Sequence, residues 1–159
     1  MRGPTKKLEG RFVISEVSTT GEPLLPQDHA KKFVNHCGFL VRDNVGISVR
    51  EWKVKKNDPQ VSYVSDRDKD IIWNEVIAHF DLPAGTEALV KSWALKKMAT
   101  QFQTFKKTLY NKFIKKNLTP NFTGQYEKLR DHWDEFVRYK TSEEGEARVR
   151  RNQENAHRK

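Results

Sequence analysis

The 27 residues from Lys91 to Asn117, KSWALKKMATQFQTFKKTLYNKFIKKN, hold eight lysines and five aromatic residues but no acidic residue. The acid-free run extends from Ala88 to Tyr126. A rotation of about 100° per residue places Met98, Phe105, Leu109 and Phe113 within roughly 60° of Phe102. This is the stripe of a helix that buries one side, and the spacing predicts one opened by Thr86 and Glu87 and running to about Asn117. Lys96, Lys97, Lys107 and Lys115 project to the reverse side, while Lys112 and Lys116 flank the stripe. Lys106 lies near the stripe's edge, where its stem must cross apolar surface. Leu89, Val90 and Trp93 point elsewhere, so the early turns pack on a second partner or the helix bends.

A solvated helix usually mixes signs, because each Glu–Lys pair four apart contributes about 0.2–0.5 kcal/mol. Here the lysines have no counter-ion within their own helix. Three readings account for that: a phosphate-facing surface, a merely solvated one, or a contact for an acidic protein. The phosphate reading is favoured, since a nucleic acid releases condensed counter-ions when lysines replace them, and the net charge of +9 has the matching sign. Lysine suits the positioning of a backbone more than the bidentate reading of base edges. The candidate phosphate contacts are Lys96, Lys97, Lys106, Lys107, Lys112, Lys115 and Lys116. Gln101, Gln103, Thr104 and Asn111 are placed to touch bases. A second basic cluster, Lys53, Lys55 and Lys56, extends the footprint or is a solvated loop.

The rest of the chain reads as mainly α, a helical bundle with a small N-terminal α+β portion that includes a short β-hairpin. Residues 1–10 form a flexible basic arm with Arg2, Lys6 and Lys7. RFVISEV is β-capable and STTGEPLLP is loop chemistry. Pro26 suits the first position of a helix carrying Ala30, Phe33, Val34 and Cys37, with Gly38 as its stop. FLVRD, NVG and ISVREW suggest strand, turn and strand, a hairpin near 39–52, followed by the basic connector KVKKNDPQVSYV. Ser65 caps a helix with Ile72, Trp73, Val76, Ile77 and Phe80 on one face. A further helix, about Gln125 to Tyr139, turns Tyr126, Leu129, Trp133, Phe136 and Val137 inward. Thr141 and Glu144 form a capping box that opens a polar last helix, 141–159, with little to bury beyond Ala147, Val149 and Ala156. One domain is expected over 11–140, with an α+β portion at 11–60 and a helical core at 65–140. Trp73, Trp93 and Trp133 suggest a core like that of Myb-type or trihelix modules, by fold-level analogy.

Chemistry is sparse. Asp66, Asp68 and Asp70 begin like a calcium loop, but Ile71 and Ile77 stand where it needs Gly and Glu. The five histidines form no pair four apart on one helix. Gly-rich phosphate loops and nucleophile elbows are absent, so neither catalysis nor a cofactor or metal is expected. Cys37, the only cysteine, rules out an internal disulfide and suggests a small buried thiol. No apolar run approaches the roughly 20 residues that span a bilayer.

Five blocks, RFVISEVSTTGEPLLP, AKKFVNHCGFLVRDNVGISVREWK, WALKKMATQFQTFKKTLYNKFIKK, TPNFTGQYEKLRDHWDEFVRYKTSEE and NQENAHRK, together resemble the plant transposase family Ptta/En/Spm of CACTA-type DNA transposons. The resemblance covers nearly the whole chain, with CGFLVRDNV and DHWDEFVRYKTSEE its most specific parts. It implies a plant protein of transposon origin located in the nucleus. DNA cleavage would need a converging acidic trio on a larger mixed sheet, and this sequence has neither pattern. The resemblance therefore implies the DNA-binding kind of element protein, acting on double-stranded DNA without catalysis. The family pattern usually continues past the position of Lys159, so the last helix is expected to have a continuation. The alternative is a protein-interaction module of a domesticated transposase, forming a homodimer or joining a nuclear protein through its C-terminal helix. RNA is a further possible partner, because a lysine-rich helix meets phosphate in either polymer.

Overall fold

The computed structural model describes residues 8–142 together with 150, 151, 153 and 154. The basic arm at 1–7 and most of the helix expected over 141–159, Glu144 of its capping box included, lie outside the described residues. The fold is mainly α: β1 (Phe12–Val13), β2 (Glu16–Val17), β3 (Pro23–Leu25), α1 (Gln27–Asn44), α2 (Asp66–Ile77), β4 (Phe80–Asp81), α3 (Glu87–Lys112) and α4 (Arg130–Thr141). The chain groups into two compact units, Met1–Val45 with Val49–Lys106, and Gly46–Ser48 with Lys107–Lys159. Trp73 and Trp93 fall in the first and Trp133 in the second.

In the first unit β1 and β4 pair in parallel, Phe12 opposite Phe80 and Val13 opposite Asp81. Two histidines fasten β1 by their Nδ1 atoms, His79 on the Gly10 carbonyl at 2.6 Å and His29 on the Val13 carbonyl at 2.7 Å. β2 and β3 form the short antiparallel hairpin, with a bulge between Glu16 and Val17. Gly21 in its connection has φ +98°, and a Cβ there would collide with the Leu89 carbonyl and lie 3.1 Å from the Trp93 Cβ. Only glycine permits both that φ and that approach.

The hairpin thus lies at 16–25, and the one expected near 39–52 is absent. Residues 39–44 instead continue α1, whose buried positions Phe33, Cys37, Leu40 and Val41 keep helical spacing. Gly38 does not stop the helix. A Cβ there would come within 3.0 Å of Arg42 and 3.1 Å of Gln101, so the glycine allows close packing against α3. Pro26 occupies the N-cap position, one residue before the first helical one.

α2 begins as its sequence requires, with Ser65 Oγ accepting the Asp68 amide at 3.1 Å. It buries Ile72, Trp73 and Val76. Along α3 the buried row within this unit steps by four residues: Val90, Ala94, Met98, Phe102 and Lys106.

In the second unit α3 closes through a 3₁₀ turn, Ile114–Lys116, and Asn117 takes a left-handed φ of 57°. The Leu118 amide then reaches the Phe113 carbonyl at 2.8 Å, satisfying the last turn. A second 3₁₀ turn, Gly124–Leu129, leads into α4. Trp133 is the hub, its ring 5.9 Å from that of Phe113, 6.1 Å from Phe122 and 5.7 Å from Phe136. Ile47, Leu109 and Leu129 complete the core. Ser48 Oγ meets His132 Nδ1 at 3.0 Å, and a Cβ on Gly46 would lie 2.7 Å from the same ring. Thr141 is the last residue of α4 and donates its hydroxyl to the Val137 carbonyl at 2.7 Å. It therefore ends a helix where the sequence suggests an opening cap.

Candidate nucleic-acid interface

The first unit carries Lys91, Lys96, Lys97 and Lys106 on α3. Lys91 is committed to Asp70 of α2 at 2.7 Å, a counter-ion from elsewhere in the chain that the acid-free run conceals. Lys96 is exposed and Lys97 half-buried. Lys106 is only 1% exposed. Its Nζ donates to the carbonyls of Val49 at 3.0 Å and Arg50 at 3.3 Å, and it lies 4.6 Å from the Phe102 ring centroid. This corrects the expectation for Lys106, because an ammonium turned inward onto backbone carbonyls has no access to a phosphate. Gln101 is likewise withdrawn, its Nε2 donating to the Val34 carbonyl at 3.0 Å. Thr100, Gln103 and Thr104 are exposed.

The second unit carries Lys107, Asn111, Lys112, Lys115 and Lys116, all exposed. Lys112 is held in place, its Nζ donating to the Tyr126 hydroxyl at 3.1 Å and lying 5.4 Å from the Phe113 ring. Among the described residues no carboxylate forms an ion pair with Lys96, Lys97, Lys107, Lys112, Lys115 or Lys116. Lys115 and Lys116 do not keep α-helical angles, because the 3₁₀ turn advances them toward the left-handed Asn117. Adjacent residues on that tight turn project in different directions.

Lys53, Lys55 and Lys56 are exposed in a loop of the first unit. Lys55 lies 3.7 Å from the Glu51 carboxylate. The sequence reading missed Lys69 beneath this loop, buried and 5.1 Å from the Trp52 ring centroid. Burial pulls its ammonium pKa down, nearby Asp66 opposes that and Lys53 adds to it. A lysine following Asp66 and Asp68 in a helix's first turn gives no sequence signal that it turns inward.

Cys37 is fully buried, and the loss of hydration pushes its thiol up to about 12 despite the charge of Lys97. Among the described residues no group of three or more His, Cys, Asp or Glu is placed to hold a metal ion, and Asp70 is turned to Lys91. A shallow cavity of about 330 Å³ is lined by Arg11, Phe80, Asp81, Pro83 and Glu87 among others. Arg11 and Asp81, its charged pair, are bonded to each other by Arg11 Nε donating at 2.7 Å. No described helix is long and apolar enough to cross a membrane. No protein-family model matches the chain, and no curated protein or solved structure is significantly similar to it.

Proposed function

We propose that the chain is a non-catalytic DNA-binding domain that holds the phosphate backbone with exposed lysines of α3 and of the turn that follows it. One observation supports this reading above the rest. Lys107, Lys112, Lys115 and Lys116 lie within ten residues, all exposed and none ion-paired among the described residues. Such a cluster repels itself in water and is relieved by a polyanion. In the first unit the exposed Lys96 and the half-buried Lys97 add contacts of the same kind, and the exposed Gln103 is placed to touch bases. The resemblance to the Ptta/En/Spm transposases agrees with this role and carries the further proposal of a nuclear plant protein of transposon origin.

The test is a salt titration of duplex binding, read by fluorescence anisotropy. The logarithm of affinity should fall linearly with the logarithm of salt, by about 0.9 per phosphate contacted. Lys107→Glu with Lys115→Glu should weaken binding to every duplex sequence and lower that slope by about 2, with the thermal midpoint unchanged. Survival of full affinity in this double variant rejects the surface.

A further inference from the structure

The segment from Trp52 to Ser62 is nearly all exposed, yet its two ends are fixed more firmly than a linker needs. The Glu51 amide donates to the Ser62 carbonyl at 3.0 Å, the Val64 amide to the Glu51 carbonyl at 3.2 Å, and the Arg50 amide to the Ser62 hydroxyl at 3.1 Å. The bonds at Glu51 make a parallel bridge with Tyr63. Two turns shape the interior, Asp58 amide to Lys55 carbonyl and Val61 amide to Asp58 carbonyl. From within, Lys106 grips the carbonyls of Val49 and Arg50, and Lys69 sits against Trp52. This is a compact loop with closed ends, a form that often carries function. Two lysines thus meet this segment from within, Lys106 at the residues that enter it and Lys69 at Trp52.

The loop exposes lysines and an aromatic face. Lys53 and Lys56 have no ion pair among the described residues, and Lys55 has only the contact with Glu51. Tyr63 is 43% exposed, and among the described residues its ring has no aromatic or cationic neighbour. Residues paired in a bridge project to the same face, so Tyr63 stands beside Glu51 and the Lys55 ammonium that Glu51 holds. An exposed aromatic ring beside the Lys55 ammonium, with Lys53 and Lys56 exposed in the same loop, fits an unpaired nucleobase with its phosphates. A duplex offers no such base, because its faces are already stacked.

We infer that the 52–63 loop is a second nucleic-acid contact of a different kind, in which Tyr63 stacks on an unpaired base and Lys53 and Lys56 hold the flanking phosphates of a single strand. This inference rests on the nucleic-acid reading above. The experiment measures anisotropy of a fluorescein-labelled oligothymidylate and of a labelled mixed-sequence duplex with the full chain. Tyr63→Ala should weaken oligothymidylate binding by about tenfold and leave duplex binding unchanged, while Tyr63→Phe keeps both. Lys53→Glu with Lys56→Glu should weaken the strand and lower its salt dependence, giving a test independent of the tyrosine. Unchanged strand binding in both variants, or equal loss for both probes, overturns the loop assignment and leaves the duplex surface standing. Failure of the wild-type chain to bind either probe overturns both.

Discussion

The ammonium of Lys106 lies 3.0 Å from the main-chain carbonyl of Val49, a bond between residues 57 apart in sequence. Its stem continues the apolar row of Phe102 and Met98, and its charge ends on backbone dipoles rather than in solvent. One side chain thus serves both as core and as a fastening for the chain that enters the 52–63 loop.

Lys106→Met keeps the stem and removes the donor. Two part-buried carbonyls then lose a charged partner, and unfolding free energy should fall by about 2 kcal/mol, read from the urea midpoint at unchanged m-value. The salt slope of duplex binding should not move, whereas Lys107→Met should lower it by about 1. A salt slope that drops with Lys106→Met would show the residue reaching phosphate after all.

Much of α2, α3 and α4 was legible because apolar periodicity and one cap, Ser65, agree locally. Three features were not. The sequence FLVRD is β-capable, but Leu40 and Val41 extend the row begun by Phe33 and Cys37, so packing overrides propensity. Gly38 reads as a terminator, whereas its purpose is the close approach of Gln101 and Arg42, partners distant in sequence or side-chain orientation. Lys106 follows Phe102 in a four-residue row that drifts by about 40° per step, and that drift carries a lysine into the core. Of the candidate contacts, Lys96, Lys107 and Lys112 are exposed on α3, whereas Lys115 and Lys116 leave α-helical spacing in the 3₁₀ turn that follows it. The inward turns of Lys106 and Lys69 and the pairing of Lys91 depend on chain segments that no local pattern reveals.

Cys37 provides a pH test. Its folded thiol is raised from 9.0 to about 12 by burial, so the unfolded chain loses this proton first. The associated stability is complete below pH 9 and is lost as pH climbs from there toward 12. Relative to Cys37→Val, which does not titrate at this position, the wild type should lose about 1.4 kcal/mol between pH 8 and pH 10. A thiol reagent at pH 8 should label the native protein slowly and the urea-unfolded chain at once.

Gly21→Ala combines a disfavoured φ with a collision against the Leu89 carbonyl. A loss of about 2–4 kcal/mol is expected in denaturant melts. Gly85→Ala is the control: its φ of +78° is also positive, but nothing lies within 4 Å of the added Cβ, so it should cost only the backbone strain, about 1 kcal/mol.

Neighbouring glutamines should behave oppositely. Gln101→Ala removes the bond to the Val34 carbonyl and should cost about 1 kcal/mol of stability with duplex binding intact. Gln103→Ala, on the exposed face, should leave stability within about 0.5 kcal/mol. If α3 reads base edges, discrimination between matched and mismatched duplexes should fall by about 1–3 kcal/mol in this variant alone. A competition assay against mismatched duplexes checks it.

The three residues Gly46–Ser48 belong with the chain after Lys106, although sequence places them between the two stretches of the other unit. A gene fragment beginning at codon 107 would therefore encode neither Ile47 nor the serine that meets His132, and a fragment ending at codon 106 would carry those three residues without their neighbours. A breakpoint at codon 106 thus divides residues that belong to one compact unit.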